Sequence, residues 1–176
     1  IVHKKVLFII NDLRMGGAQR VISIVMRELV SSGYEVALIT NHRNSTDFFT
    51  IGDKISRFST GLTTPSKNIA QAIGNNLKRI RTIRQVITKE SPDVVFSFMT
   101  ETNIVAILAA TFTGKPVVVS ERSDPAKDRK SLVWEMLRKI TYRKAFRVTT
   151  NSQAALEYLG KFVKDDKLVY IPNPID

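Results

Sequence analysis

The chain has 176 residues, of which 43% are hydrophobic and 24% charged, so a disordered tail, a collagen-like chain and a coiled coil are excluded. It has no cysteine and only two histidines, which excludes a disulfide framework, a cysteine nucleophile and a histidine-cluster zinc site. The 27 basic and 16 acidic side chains give a net charge of +11, which predicts an anionic partner: nucleic acid, a phosphate-bearing substrate or an acidic membrane surface.

The first elements along the chain predict a strand, a glycine-containing loop, a helix and a second strand. Val6–Ile10 is a short apolar run, typical of a strand that is buried on both faces. A loop that ends in Gly16 and Gly17 follows, and apolar residues then recur at helical spacing as far as Gly33. Glu35–Thr40 is the second apolar run. This order of elements predicts a βαβ unit.

The same alternation continues to the end of the sequence. We expect one short strand within 42–65 and a long amphipathic helix over 68–89. The further predicted elements are strands over 93–98, 117–120, 146–150 and 168–171 and helices over 104–112, 131–142 and 152–159. This pattern predicts an α/β fold, a three-layer Rossmann-like domain with a mostly parallel sheet that occupies residues 1–176.

Ligands of such a sheet bind beyond the carboxyl ends of its strands, so the loops that follow the strands are where a site is expected. Those loops are 11–17, 41–46, 99–103, 121–130 and 151–152. In the first of them, Gly16 and Gly17 stand at a helix start, where a phosphate can approach the backbone; the alternative is a tight turn. Asp12 is either a catalytic acid or a cap or turn residue.

Polar side chains also follow two neighbouring strands in the middle of the predicted sheet. They are Thr100, Glu101 and Asn103 in one loop and Glu121 and Arg122 in the other. Carboxylates and an arginine at adjacent strand ends are suited to sugar hydroxyls or to a diphosphate. Helix capping and a surface salt bridge are the alternative interpretation.

The positive charge is concentrated in two segments. Residues 54–89 hold eight Lys or Arg and no acid, and residues 127–147 hold eight Lys or Arg and two acids. On the predicted helix over 68–89, basic side chains lie opposite and beside the apolar stripe: Lys78, Arg79, Arg81 and Arg84. They form either a binding face or a solvated face.

Four segments together resemble a known protein family. They are Asn11–Arg20 (NDLRMGGAQR), Asp93–Asn103 (DVVFSFMTETN), Val118–Pro125 (VVSERSDP) and Ile171–Asp176 (IPNPID). In this order they resemble the N-terminal, acceptor-side domain of bacterial family 4 retaining glycosyltransferases of the GT-B fold. Two of the segments are most similar to members that extend glycans on polyprenyl-diphosphate carriers.

The resemblance implies one half of a GT-B enzyme, with the C-terminal nucleotide-sugar-binding domain absent from this chain. It implies transfer of a hexose or N-acetylhexosamine, with retention, from a nucleotide diphosphate sugar to a polyprenyl-diphosphate-linked glycan in O-antigen or other surface polysaccharide synthesis. The donor is expected to be UDP-linked, with no metal and no further cofactor. The chain alone is expected to be inactive or nearly so.

The resemblance also suggests roles for particular residues. Glu121 and Arg122 match the loop near the reaction centre and are the candidate catalytic residues, expected to contact the substrate. Gly16 and Gly17 match the loop that faces the donor diphosphate. Thr100, Glu101 and Asn103 are candidates for binding the acceptor or a sugar. The candidates for the acceptor diphosphate or the membrane are Lys78, Arg79, Arg81 and Arg84.

The expected location is cytoplasmic and peripheral, on the inner face of the plasma membrane. No run of about 18 apolar residues occurs, and the N-terminus lacks the pattern of a signal peptide. Two alternatives stay open: a nucleic-acid-binding module that uses the basic 54–89 segment, and a non-catalytic nucleotide-binding domain. A nucleic acid partner is not expected, because no aromatic residue stands among the basic ones from Lys67 to Lys89.

Overall fold

The computed structural model describes residues 4–42, 47–62, 68–123 and 130–173. Parts of two predicted loops, at 43–46 and 124–129, and the chain end at 174–176 lie outside these residues. The strands are β1 (Lys5–Ile9), β2 (Glu35–Thr40), β3 (Ser56–Ser59), β4 (Val94–Phe98), β5 (Val117–Glu121), β6 (Arg147–Thr150) and β7 (Leu168–Tyr170). The helices are α1 (Gly17–Ser31), α2 (Ile69–Glu90), α3 (Thr100–Ala110), α4 (Leu132–Thr141) and α5 (Gln153–Gly160). Single 3-10 turns occupy Tyr142–Lys144 and Asp165–Lys167.

The strands form one seven-stranded sheet in the order β3-β2-β1-β4-β5-β6-β7, and every neighbouring pair is parallel. The predicted α/β, Rossmann-like class is therefore confirmed. The chain runs outward from β1 to β2 and β3 on one side and from β4 to β7 on the other. The strand order thus reverses between β1 and β4, and the carboxyl ends of these two strands flank the position where open α/β sheets bind ligands.

Helices cover both faces of the sheet and make the three layers. Helix α1 packs on the face that carries Val6 and Phe8 of β1, whereas α2, α3, α4 and α5 contribute to the core on the face that carries Leu7 and Ile9. Right-handed crossovers explain the division, because α1 connects strands in the opposite direction along the sheet from the four later helices.

Helix α2 packs along only half of its length. Asn68 caps its start by accepting a hydrogen bond from the backbone N–H of Gln71 at 2.8 Å. In its C-terminal half Ile83 and Ile87 are fully buried against the sheet. The same apolar stripe is exposed in the N-terminal half, by 80% at Ile69, 58% at Ile73 and 49% at Leu77. No helix in the described part of the chain combines the length and the apolar character needed to cross a bilayer.

Helix α3 begins earlier than its apolar run predicted. We expected a loop at 99–103 and a helix from Ile104, but the helix starts at Thr100, directly after β4. Met99 makes the turn possible by adopting a φ of 75°, in the left-handed region. Consequently Thr100, Glu101 and Asn103 lie on the first turn of α3. The position of each side chain around this helix determines whether it faces the space beyond the carboxyl ends of the strands.

Candidate functional site

A cavity of about 400 Å³ lies at the carboxyl ends of the strands. It is lined from four loops that the sequence singled out: Gly16 and Gly17 before α1, Thr100 and Glu101 on α3, Arg122 after β5, and Asn151 after β6. The predicted grouping of the glycine loop with the loop after β5 at one edge of the sheet is thus seen in the structure. No three His, Asp or Glu side chains within the described ranges come together as a possible metal site.

The glycine loop presents the start of α1 to this cavity. Gly16 is the N-cap residue in extended conformation, and no side-chain hydrogen bond to the cap is seen among the described residues. A Cβ on Gly16 would stand 2.3 Å from Oε1 of Gln19, whereas a Cβ on Gly17 would meet nothing within 4 Å. The space beside Gly17 and the N–H groups of the first turn suit an anionic group, because the helix dipole is positive at this end.

The carboxylate of Asp12 holds the glycine loop through hydrogen bonds. Its Oδ1 accepts hydrogen bonds from the backbone N–H of Arg14 at 3.1 Å and from Nε2 of Gln19 at 3.3 Å. Its Oδ2 accepts from Nδ2 of Asn11 at 3.1 Å. Of the two interpretations made for Asp12, these contacts favour a turn residue. Gln19, which the sequence analysis did not select, lines the cavity and is held by Asp12.

Glu121, the last residue of β5, is fully buried and does not reach the cavity. It lies on the same side of β5 as Val119, which faces the α2–α5 layer. Its carboxylate accepts hydrogen bonds from the hydroxyls of Thr100 at 3.0 Å, Ser123 at 2.6 Å and Tyr142 at 2.9 Å. The expected contact of Glu121 with a substrate is corrected accordingly: the carboxylate holds Thr100 and Ser123, which line the cavity.

Arg138 of α4 completes this buried polar network. Its Nη1 lies 3.5 Å from Oε2 of Glu121, and its Nη2 donates to both carboxylate oxygens of Glu135 at 2.7 Å. Burial lowers the pKa of Arg138, but the hydrogen bond to Glu135 and the charge of Glu121 outweigh it and raise the pKa. Burial, reinforced by the charge of Glu121, raises the pKa of Tyr142 well above its usual value. The network therefore contains a permanent cation and a neutral phenol.

Asn103 is also fully buried, which corrects its expected role in binding an acceptor. Its Nδ2 donates to the carbonyl of Ser120 and to the hydroxyl of Tyr142, both at 3.0 Å. Its Oδ1 accepts from the hydroxyl of Ser97 at 2.7 Å. The amide fixes the start of α3 against β4 and β5, because a buried polar group needs such partners.

Arg122 is the cation that faces the cavity after β5. Its Nε donates to the hydroxyl of Ser120 at 2.9 Å, and its Nη1 donates to Oδ1 of Asn173 at 2.6 Å. Asn151 donates to the same oxygen at 3.2 Å. Partial burial lowers the pKa of Arg122. Asn151 and Asn173 were not selected from the sequence; Asn173 lies in the IPNPID segment, which was the available signal.

Glu101 connects the cavity to α2 and to the chain before α4. Its Oε1 lies 3.1 Å from Nζ of Lys130. Its charge raises the pKa of Arg79, although the larger effect of burial leaves that pKa lowered. The Nε of Arg79 is buried and, among the residues described, has no hydrogen-bond partner. Arg79 is therefore directed inward from α2, towards the start of α3.

The four basic residues of α2 do not act as one set. Lys78 and Arg81 are exposed, whereas Arg79 is partly buried. Arg84 donates from Nε to the carbonyl of Ala109 at 3.0 Å and from Nη2 to the carbonyl of Leu108 at 2.9 Å. Arg84 is itself exposed, and these hydrogen bonds use part of its guanidinium for carbonyls near the end of α3; its anion-binding role stays a prediction.

A larger cavity, of about 600 Å³, lies at the opposite edge of the sheet. It is lined by Lys115, Lys144, Arg147 and Lys167, among others. Lys167 donates to the carbonyls of Arg143 and Ala145 at 2.8 and 2.9 Å. Lys167 of this cavity is thus engaged by carbonyls that follow α4. The described parts of the loops after the strands do not line this cavity.

Solved structures with the same fold include enzymes of two kinds. A lipopolysaccharide outer core galactosyltransferase in its apo form has a TM-score of 0.75 and 17% identity, covering 98% of this chain and 46% of that one. A protein described as a UDP-N-acetylglucosamine 2-epimerase from Listeria monocytogenes has a TM-score of 0.69 and 21% identity, covering 96% and 45%. At such identities the likeness shows the fold alone, that of one half of a GT-B structure.

Sequence comparison gives a narrower result. The chain is 26% identical over 175 residues to a Campylobacter jejuni GalNAc-alpha-(1->4)-GalNAc-alpha-(1->3)-diNAcBac-PP-undecaprenol alpha-1,4-N-acetyl-D-galactosaminyltransferase, covering 96% of this chain and 46% of the relative. The chain thus spans about half the length of the relative it matches. Residues 15–176 match Glycosyltransferase Family 4. Because this match extends over most of the sequence, the chain belongs to glycosyltransferase family 4.

Proposed function

We propose that this chain is the acceptor-side domain of a retaining glycosyltransferase that moves a hexose or N-acetylhexosamine from a nucleotide diphosphate sugar to a lipid-linked glycan. The observation that carries the proposal is the cavity at the carboxyl edge of the sheet, in a chain of this family. There Gly17, at the start of α1, and Arg122, after β5, line the same space. A helix N-terminus and an arginine are the groups that stabilise a departing diphosphate.

The donor side of the proposal rests on the glycine loop. Gly17 leaves open space beside the first N–H groups of α1, and Arg122 adds a positive charge to the same cavity. Catalysis of this kind relies on positioning and on electrostatic stabilisation of the leaving group, with no metal or further cofactor. A UDP-linked donor is favoured because the Listeria protein of the same fold is named for a UDP-linked sugar. Most of the donor site is proposed to lie in a second domain.

Glu121 enters this proposal as a positioning residue. It is buried beside Arg138 and accepts hydrogen bonds from Thr100 and Ser123, two residues of the cavity wall. Thr100 begins α3 and Ser123 follows β5, so the carboxylate ties the two strand ends together. Sub-ångström placement of the wall matters for catalysis, because small displacements of bound groups lower the rate strongly.

The acceptor is proposed to be a glycan on a polyprenyl diphosphate, in the synthesis of O-antigen or another surface polysaccharide. The name of the C. jejuni relative specifies an undecaprenol-linked acceptor, which supports this class. The exposed N-terminal half of α2 supports it independently: Ile69, Ile73 and Leu77 present an apolar row, with the exposed Arg81 beside it. Such a helix suits the surface of an anionic membrane, here the inner face of the plasma membrane.

The nucleic-acid alternative receives less support. A backbone-binding surface needs several cations on one outward face. In the described part of the 54–89 segment, Arg79 turns towards Glu101, Arg84 caps α3, and Arg57 pairs with Asp47. Three of the seven described cations of this segment are thus engaged within the chain.

Titration of the 15N-labelled chain with inorganic pyrophosphate tests the donor side. We expect the backbone amide signals of Gly16 and Gly17 to shift, and the shifts to be reduced in Arg122→Gln. The amide of Gly114, at the opposite edge of the sheet, is the internal control. Shifts confined to that edge, or shifts at Gly17 that ignore Arg122, would contradict the proposal.

A further inference from the structure

Helix α4 exposes a row of apolar side chains in addition to Trp134 and Leu137, which it packs against the core. Its outward side carries Leu132, Val133, Met136 and Ile140, whose exposed fractions are 88%, 60%, 55% and 51%. Leu132, Met136 and Ile140 recur every four residues and so form one row along the helix. The inner side of the helix buries Arg138 and Thr141 beside Trp134 and Leu137. A surface helix normally exposes polar side chains on its outward side, where α4 exposes apolar ones.

The charges of α4 are distributed so that its outward side is positive. The one acid of the helix, Glu135, accepts hydrogen bonds from Arg138 and from the hydroxyl of Tyr158, so its charge is compensated on the inner side. Lys139 and Arg143 are both exposed. Lys139 stands three residues after Met136 on the helix, and Arg143 lies in the 3-10 turn that follows, where its Nε donates to the carbonyl of Phe162 at 3.2 Å. An apolar row bordered by cations results.

We propose that the outward side of α4 is a membrane-contact surface that inserts Leu132, Met136 and Ile140 into the headgroup boundary of an anionic bilayer. The combination of exposed apolar side chains with bordering cations is the pattern of helices that lie in this boundary. Charge complementarity selects this occupant over a second copy of the chain. In a two-fold dimer through α4, Lys139 and Arg143 would approach their own equivalents, and the one acid of this helix, Glu135, is already paired on the inner side.

This surface is separate from the exposed half of α2. It shares with the proposed function its partner, an anionic membrane, but none of its residues. Helices α2 and α4 pack on either side of α3 within one layer of the fold. Contact through α4 as well as α2 would restrict how the domain rotates on the bilayer, and with it the direction in which the cavity opens.

The absence of cysteine from the chain allows a site-specific test. Met136→Cys is labelled with a polarity-sensitive NBD fluorophore and mixed with vesicles of phosphatidylglycerol and phosphatidylcholine. The matched control is Val25→Cys, which places the same label on the exposed side of α1, on the other face of the sheet. We expect a blue shift and a gain in intensity at position 136, little change at position 25, and little change with phosphatidylcholine alone.

A double variant tests the role of the cations. Lys139→Gln combined with Arg143→Gln should weaken binding to the anionic vesicles about tenfold or more, since each cation near such a surface contributes roughly a factor of five. Circular dichroism confirms that both proteins are folded. Vesicle-independent shifts that grow with protein concentration would identify a second copy as the occupant and overturn the proposal.

The failure of this inference is distinguishable from that of the proposed function. A label on Ile73→Cys reports on the exposed half of α2. A response at position 73 without one at position 136 would overturn the α4 surface and leave the proposed contact through α2 intact. A response at position 136 alone supports the α4 surface and contradicts the contact through α2.

Discussion

Glu121 at the end of β5 and Arg138 in α4 are both fully buried, and their charged groups lie 3.5 Å apart. The pair holds together the last residue of a central strand and the helix that packs beside α3. Glu121 also accepts hydrogen bonds from Thr100 and Ser123, and so fixes the position of these two residues in the wall of the cavity.

We expect Arg138→Met to destabilise the fold by about 3–5 kcal/mol, because it leaves the Glu121 carboxylate buried without its cation. Urea unfolding followed by circular dichroism measures the change. Lys139→Met is the matched control: Lys139 is the next residue along α4 and is exposed, so its replacement should cost less than about 0.5 kcal/mol. Equal losses in the two variants would show that the buried pair contributes nothing particular.

The loss of folding stability at acid pH should depend in part on Glu135. Burial raises the pKa of Glu135, but the hydrogen bonds from Tyr158 and Arg138 more than offset this, and the folded-state pKa is lowered from 4.5. A group with a lowered folded-state pKa contributes stability above its unfolded value, and that contribution is lost as the pH falls through the folded value. Unfolding at a series of pH values should show a shallower decline below about pH 4.5 in Glu135→Gln. An unchanged slope would exclude Glu135 as a source of the decline.

Gly17→Val should abolish most binding of pyrophosphate to the chain without lowering the melting temperature. The added side chain meets no protein atom within 4 Å of its Cβ, but it fills the space proposed for the diphosphate. Isothermal titration calorimetry measures the binding, and we expect a loss of about tenfold or more, equivalent to about 1.4 kcal/mol. Gly52→Val is the control, since it also has open space but lies outside the cavity. Unimpaired binding by the valine variant at position 17 would remove this glycine from the site.

Substitutions of Arg84 and Arg81 should have different effects: the first should lower stability, and the second should weaken membrane binding. Arg84→Gln removes two hydrogen bonds to carbonyls at the end of α3 and should cost about 1–2 kcal/mol in the free energy of unfolding. Arg81→Gln should leave stability within about 0.5 kcal/mol and weaken co-sedimentation with anionic vesicles roughly fivefold. The opposite assignment of the two effects would mean that Arg84 and not Arg81 faces the bilayer.

The 176-residue chain by itself should show little or no transfer from UDP-linked sugars to a polyprenyl-diphosphate-linked glycan. The chain spans 46% of its C. jejuni relative, and most of the donor site is proposed to lie in a second domain. Mass spectrometry of the glycan detects any added sugar. The control is a longer chain in which the same residues are followed by a second domain that binds the nucleotide sugar. Turnover by the 176-residue chain at the rate of that control would refute the proposed division of the site.

The sequence by itself determined the class of fold and the edge at which the site lies. Short apolar strands alternating with helices admit few arrangements, because crossovers between parallel strands are right-handed and buried strands need helices on both faces. Gly16, Gly17, Thr100, Glu101 and Arg122 were predicted at the carboxyl edge, and they line one cavity there. Three of the four motifs that indicated family 4 extend into these loops, and the family assignment is confirmed.

The tertiary structure alone decided which of the polar residues face that cavity. Glu121 stands at the end of β5 and Asn103 on the first turn of α3. Both are buried, and their side chains are hydrogen-bonded within the protein, Glu121 to Tyr142 and Asn103 to the carbonyl of Ser120. Arg84 bonds to α3, and α4 leaves a second row of apolar side chains exposed while Trp134 and Leu137 pack on the core. Periodicity along a chain fixes which residues share a side of an element, but neighbours distant in sequence decide which side is covered, and burial then determines what each side chain can bind.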